Sequence, residues 1–330
     1  METSRRVFVG MSVAAAALAG AAKPVAAATD PMKAPFDKFW IAAYTPVDKS
    51  GAFVNGANDA MLAYWKSQGA DGVLLLGTTG EAQSFSVAER KKALEQAARN
   101  KHGLDFIVGT GTANIAESID LSLHAADHGA DSVLIVPPYY DKNPKPEGVL
   151  AYFDQVFAKV KSPVRYYHIP RTTGVPIEDS ASFFSALARH ENLVGVKDSN
   201  GDAKEFEAIT AAVPNLNVVT GTDNLLDNTL AHNHGTILAS GNIFTRWNAA
   251  IYAAHRSGGD VKAAFAAKAA AQKAFADAAG AGARGESANK YALALLIGAK
   301  DMYSRAPTLP LDEALKPKIA QAVNVLKSIT

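Results

Sequence analysis

The chain has 330 residues, 48% of them hydrophobic and 20% charged, with a formal net charge of +1. That balance fits a folded globular protein and excludes a disordered or collagen-like one. No basic face interleaved with aromatics suggests nucleic acid as a partner, and the absence of cysteine rules out disulfides and thiolate chemistry.

The first predicted element is an address. Ser4-Arg5-Arg6-Val7-Phe8-Val9, the apolar run Met11 to Ala22 and the small residues Ala26-Ala27-Ala28 are the three parts of an export signal. The paired arginines resemble the twin-arginine type, which carries folded proteins out of the bacterial cytoplasm. The expectation is a signal peptide over 1–28 and a periplasmic or secreted protein. Losing those residues takes the net charge from +1 to −1. Beyond them no run reaches the roughly 18 apolar residues of a membrane helix.

Eight short apolar, β-branched runs follow: Phe39–Val47, Gly72–Gly77, Asp105–Gly111, Ser132–Pro138, Val164–Pro170, Leu193–Ser199, Asn217–Asp223 and Thr236–Phe244. Continuous apolarity is expected of parallel strands buried on both faces. Helical patterns lie between them, over Ala57–Gln68, Val87–Asn100, Ile115–His128 and Pro146–Val160, then Asp179–Arg189, Ala203–Ala212, Asn224–His232 and Trp247–Arg256. Ser86 with Glu89, and Asn114 with Glu117, have capping-box spacing, and Gly69 and Gly129 stand where helices end. Strand–helix alternation repeated eight times predicts a (β/α)₈ TIM barrel over 29–258. A doubly wound sheet would show a Gly-rich phosphate loop after its first strand, and none is visible. Residues 259–330 read differently, as Ala-rich helices over Val261–Ala279, Glu286–Tyr303 and Leu311–Ser328 with no strand between them. They predict a C-terminal three-helix extension suited to helix or subunit packing.

In such barrels chemistry sits at the C-terminal ends of the strands. The sixth run, Leu193-Val194-Gly195-Val196, ends on Lys197 and the polar turn Asp198-Ser199-Asn200-Gly201-Asp202. A lysine forced out of water favours its neutral amine, which is a nucleophile able to form a Schiff base with a ketone. The other strand ends supply Thr78-Thr79-Gly80-Glu81, Tyr139-Tyr140, Tyr167 to Gly174, Gly221-Thr222-Asp223 and Ser240-Gly241-Asn242. Hydroxyls and one amine suit covalent catalysis with a proton relay better than metal hydrolysis. His232-Asn233-His234 invites a metal reading, but beside Gly235 it reads as a polar helix cap lacking carboxylate partners. Glu81 reads as structural.

Several segments occur together in the order and spacing of the dihydrodipicolinate synthase/N-acetylneuraminate lyase family. They are Ala43-Tyr44-Thr45-Pro46-Val47, Gly77-Thr78-Thr79-Gly80-Glu81, Pro138-Tyr139-Tyr140, Tyr167-His168-Ile169-Pro170, Gly195-Val196-Lys197 and Pro307-Thr308-Leu309-Pro310-Leu311. The chain resembles this family of class I pyruvate-dependent aldolases over about residues 38–325. The resemblance implies that Lys197 forms an imine with pyruvate or another 2-keto acid and that Tyr167 is the general acid and base. It implies that Thr78 links Tyr167 to Tyr140, which in the family reaches in from a neighbouring subunit, so that a homo-oligomer (dimer or tetramer) is expected. Thr79 and its turn would hold the keto-acid carboxylate. No metal or organic cofactor is implied.

The resemblance departs in one place. The synthases carry an arginine two residues after the fifth-strand proline to bind the second substrate's carboxylate; here that position is Thr172, and Arg171 stands one place earlier. Tyr166 to Pro170, with Thr173-Gly174-Val175, looks more like the lyase strand. Ser199 matches a hydroxyl that contacts the sugar chain in lyases, and Asp223 suits either branch. The expected function is therefore a carbon–carbon lyase acting on N-acetylneuraminate-like or 2-keto-3-deoxy sugar acids. Condensation of pyruvate with aspartate semialdehyde and dehydration of a keto-deoxy sugar acid are the alternatives within the family. An exported keto-acid binding protein is the rival from another class, though binding alone needs no proton relay.

Overall fold

The computed structural model describes residues 36–329. The expected signal over 1–28 lies outside the described residues. Eight parallel strands close into a barrel in sequence order: β1 (Phe39–Ala42), β2 (Gly72–Leu75), β3 (Asp105–Gly109), β4 (Ser132–Ile135), β5 (Val164–His168), β6 (Leu193–Asp198), β7 (Asn217–Thr220) and β8 (Thr236–Leu238). Helices α1 (Ala57–Ser67), α2 (Val87–Ala98), α3 (Ile115–Asp127) and α4 (Pro146–Lys159) link the first five strands. The one-turn α5 (Pro170–Thr173) precedes α6 (Ser180–Leu187), followed by α7 (Ala203–Ala212), α8 (Leu226–Ala231) and α9 (Thr245–Ser257). The fold is a TIM barrel with a helical extension, α10 (Val261–Ala279), α11 (Glu286–Ile297) and α12 (Lys316–Ser328). Among the described residues no helix is long and apolar enough to cross a membrane.

The pleat sorts each strand into two faces. Trp40, Ala42, Leu74, Ile107, Leu134, Tyr167, Val219 and Ile237 point inward and fill the barrel. Phe39, Ile41, Val73, Phe106, Val133, Tyr166, Val196 and Leu238 point outward and join the helices in the main core. Deep inside, Gly72 makes room for Trp40, since a Cβ there would sit 2.4 Å from the indole ring. The Arg165 guanidinium covers that indole at 5.3 Å and donates to Ser132 Oγ at 3.2 Å. Burial pushes Arg165 down to about 10, and Asp105 partly opposes the shift. The extension has its own core, in which Ala271 and Phe275 of α10 meet Ile319, Val323 and Leu326 of α12 around Ile243 and Trp247 of the barrel.

Every strand begins where the apolar run begins, and each ends sooner than the run does. The last residues of the runs leave the ladder to form the loops at the barrel mouth. Beyond β1, Tyr44 N–H donates to Asn242 Oδ1 at 3.3 Å, and Val47 bridges to Phe53 and Tyr303. Beyond β5 the chain turns at once into α5, which Gly174 closes with φ 69°. The capping box at Ser86 and Glu89 forms in both directions, whereas Asn114 caps α3 through its own side chain. Gly69 and Gly129 end α1 and α3 with φ of 91° and 82°. In the extension α11 stops at Ile297, where Gly298 takes φ 67°, rather than running on to Tyr303.

Candidate active site

The ladder pairs Tyr167 of β5 with Lys197 of β6, so both side chains enter the barrel at the same height. Both are 4% exposed, and Lys197 Nζ donates to the Tyr167 phenol oxygen at 3.3 Å while lying 4.3 Å from its ring centroid. Burial pushes the Tyr167 phenol up, but the Lys197 charge and the hydroxyls of Thr78 and Ser199 outweigh it, and the group ends below the ordinary tyrosine value. Two loops and two strands thus converge on one phenol oxygen. Asp198 follows Lys197 but points outward among the helices, where burial lifts its carboxyl to about 6. Its Oδ1 accepts the Asn200 N–H at 2.8 Å.

Gly221, after β7, is what lets Lys197 and Ser199 stand side by side. A Cβ at Gly221 would lie 1.9 Å from Ser199 Oγ and 2.9 Å from Lys197 Cε. Ser199 N–H donates to His168 O at 2.8 Å, which continues the β5–β6 ladder beyond the strand end.

The turn from Gly77 to Glu81 is bent tightly, with non-glycine residues Leu76 and Glu81 both at φ 53°. Such conformations persist only where the surroundings hold them. Glu81, 1% exposed, is held by the Lys290 ammonium of α11 and accepts the Arg305 N–H at 3.0 Å. Lys290 also donates to Thr45 O at 3.0 Å and Tyr303 O at 2.9 Å, and Thr45 Oγ1 donates to Gly80 O at 2.7 Å. Glu81 is therefore a buried anchor, in keeping with its structural reading. The extension clamps the loop that carries Thr78 and Thr79.

Beside Thr78 and Tyr167 opens a cavity of about 300 Å³, also lined by Arg90, Tyr139 and Thr172. Burial pushes the Arg90 guanidinium down to about 10, and it donates to Gly109 O at 2.8 Å and Gly111 O at 3.3 Å. Thr172 faces this cavity, whereas Arg171 is exposed and outside its lining. Tyr140 stands apart from Thr78 and Tyr167 within the chain, 83% exposed, and it is Tyr139 that lines the cavity. Asp223 is tied to the Lys268 ammonium of α10 and accepts the Ser240 hydroxyl at 2.8 Å.

The structure thus gathers Lys197, Tyr167, Thr78 and Ser199, sets Thr79 in the adjoining turn, and places Thr172 and Asp223 on the rim. Arg171 and Tyr140 point elsewhere in the same chain. Sequence reasoning missed Lys290 and Lys268, lone lysines on the otherwise apolar faces of α11 and α10. Their oddity among alanines was the available signal. Arg90 was hidden in a helix of ordinary charged composition. The His232-Asn233-His234 segment does meet a carboxylate, contrary to expectation: His232 pairs with Glu207 at 2.5 Å, while His234 is buried.

Residues 35–326 match the profile of the Dihydrodipicolinate synthetase family. The chain belongs to that family. It is 32% identical over 295 residues to a 4-hydroxy-tetrahydrodipicolinate synthase of Acidiphilium cryptum, covering 87% of this chain and 97% of the relative. It is 40% identical over 207 residues to an uncharacterized DapA-like lyase of Chloroflexus aurantiacus, covering 62% of this chain and 69% of the relative. Among solved structures, YagE of E. coli K12, a prophage protein of the dihydrodipicolinic acid synthase family in complex with pyruvate, superposes with TM-score 0.77 at 27% identity. That match covers 89% of this chain and 99% of YagE. The fold is shared with Proteus mirabilis N-acetylneuraminate lyase, with TM-score 0.78 at 23% identity over 89% of this chain and 99% of that one. Membership makes the chain a class I, pyruvate-dependent aldolase or lyase.

Proposed function

We propose that this protein is an exported lyase that cleaves the carbon–carbon bond next to a pyruvate unit in a polyhydroxylated 2-keto acid, of the N-acetylneuraminate or 2-keto-3-deoxy sugar acid type. The observation that carries the reading is the 3.3 Å contact between Lys197 Nζ and the Tyr167 phenol inside a closed barrel mouth. A nucleophile and a proton carrier share one position there, which is what imine formation and breakdown require.

In this reading the Lys197 amine attacks the C2 ketone. Tyr167 gives a proton to the departing hydroxyl, so water leaves and a protonated imine forms. The cationic imine then takes up the electron pair of the C3–C4 bond as that bond breaks. The C4 hydroxyl gives its proton to the Tyr167 phenolate left by the dehydration, an aldehyde departs and an enamine remains on Lys197. Protonation of the enamine at C3 and hydrolysis of the imine release pyruvate and restore the amine. Thr78 and Ser199 hold the phenol in place through this cycle. The Thr78 and Thr79 amides donate to no acceptor among the described residues, which suits them to the keto-acid carboxylate.

For the substrate, the support is the rim. Thr172 and Ser199 offer hydroxyls to a sugar chain, while Arg171, the side chain that could meet a second carboxylate, is exposed outside the cavity lining. Export also argues against a biosynthetic step fed by cytoplasmic intermediates. The similarity to the Acidiphilium cryptum synthase favours the second reading, condensation of pyruvate with aspartate semialdehyde. Tyr140, 83% exposed, is proposed to complete the site of a neighbouring subunit, which makes the working form a dimer or tetramer.

The test is borohydride trapping with pyruvate and mass analysis of the Lys197 peptide, followed by turnover of a panel of keto acids with Lys197→Ala as control. An adduct on Lys197 and cleavage of a sugar acid are expected. No adduct at that peptide overturns the mechanism. Turnover of pyruvate with aspartate semialdehyde alone would move the protein to the second reading.

A further inference from the structure

Away from the active site, three side chains on two neighbouring helices point at one another. Glu95 of α2 and His124 and His128 of α3 bring one ligand atom each to within 4.8 Å of the others, the one cluster of three such groups among the described residues. His124 and His128 are four residues apart, which puts them on one face of the helix a turn apart. Their rings stack with centroids 3.9 Å apart. Glu95 Oε1 lies 3.2 Å from His124 Nε2. That nitrogen is buried and has no aligned hydrogen bond, so the two atoms stand close without satisfying each other. His128 Nδ1 lies 2.8 Å from the His124 backbone carbonyl. A carbonyl can only accept, so Nδ1 carries the proton and Nε2 keeps its lone pair outward. Tying one imidazole nitrogen to an acceptor and freeing the other is how histidine ligands are oriented.

We propose that Glu95, His124 and His128 form a binding site for a divalent first-row transition metal cation such as zinc. Two imidazole nitrogens and one carboxylate oxygen are a donor set that suits zinc, with a fourth position left for water. Tetrahedral bonds of about 2.0–2.2 Å put neighbouring ligand atoms about 3.3 Å apart. The observed 3.2 Å between Glu95 and His124 already has that spacing, and the His128 ligand atom lies within 4.8 Å of both. Glu95 is 47% exposed and His124 16% exposed, so an ion can enter from solvent.

The location says what the site does. Barrel helices run back against the strands, so the C-terminal ends of α2 and α3 lie at the face opposite the strand ends that carry Lys197. Features of that face serve stability rather than chemistry. The two helices are already joined one turn away by Lys91 and Asp120 at 2.7 Å. A metal bridging Glu95 to the two histidines would add a second cross-link between them.

The experiment uses the untagged chain, stripped of metal and titrated with zinc against a colorimetric chelator. One equivalent per chain is expected to bind, and zinc is expected to raise the melting temperature. His124→Ala and His128→Ala are each expected to weaken binding at least tenfold and to remove the rise in melting temperature. His128→Asn, which keeps a donor for the His124 carbonyl but no imidazole, serves if the alanine variant is unstable. Glu95→Gln tests the carboxylate on an exposed position. Each variant should keep the wild-type melting temperature without zinc and the same pyruvate adduct at Lys197. No saturable zinc binding by the wild type, or binding undiminished by loss of either imidazole, overturns the proposal.

Discussion

Gly221→Ala tests whether the barrel mouth is built around the reach of one lysine. The added Cβ would lie 1.9 Å from Ser199 Oγ and 2.9 Å from Lys197 Cε, where ordinary contact begins at 3.4 Å. Ser199 Oγ can rotate away about one bond. Lys197 Cε must retreat by about half an ångström, carrying Nζ away from its 3.3 Å contact with Tyr167. A misplacement of about 1 Å costs on the order of 100-fold in rate, so half of that predicts about a tenfold loss. Overpacking should cost about 1–3 kcal/mol of stability, too little to unfold a barrel of this size. The assay is the rate of borohydride-trappable adduct formation with pyruvate, alongside a urea melt. Gly221→Ala with Ser199→Ala removes the nearer clash and leaves the lysine clash, so stability should recover while adduct formation stays slow. If Gly221→Ala formed adduct at the wild-type rate, the idea that this glycine sets the lysine's position would be refuted.

Two more predictions follow from the charge environment. Lys197 and the neighbouring hydroxyls hold the Tyr167 phenol below the ordinary value. Rising pH should therefore strip its proton before the usual tyrosine range of about 10, giving kcat/KM an alkaline limb below that point. Tyr167→Phe should remove the limb and lower kcat by about 10²–10⁴; an unchanged limb would mean another group titrates. Lys290→Met leaves the buried Glu81 carboxylate without its counter-ion, keeping only the Arg305 N–H, and removing one partner of a buried pair costs about 3–5 kcal/mol. Glu81→Gln combined with Lys290→Met should recover much of that loss in a urea melt. A double variant as unstable as the sum of the two single variants would show that the pair is not coupled.

Much of this protein could be read along the chain because a parallel barrel writes itself locally. Each strand is buried on both faces, so its apolar run is continuous and its first residue is sharply marked, as at Phe39, Asp105 and Asn217. The ends blurred because the mouth loops are lined by similar residues that leave the ladder, as Tyr44 and Val47 do. Lys197 and Tyr167 were visible for the same reason: a polar group closing an apolar run has few ordinary explanations. The synthase-type arginine position was also legible as Thr172, and the fold adds that Arg171 does not swing back to replace it in the cavity lining.

What lay beyond the sequence was every relation between distant segments. The clamp of Lys290 on Glu81 spans more than two hundred residues, and the tie of Lys268 to Asp223 joins the extension to the mouth of β7. Nothing in the local pattern of an Ala-rich helix says which carboxylate its lone lysine will meet. The need for glycine at position 221 is invisible without the two side chains that crowd it. By itself the sequence determined the barrel and its order of strands and singled out Lys197 as the candidate nucleophile, since burial and periodicity are local properties of the chain. The tertiary structure alone decided how the phenol, the lysine and the clamped loop share one space, because that depends on barrel closure and on which surfaces the extension covers.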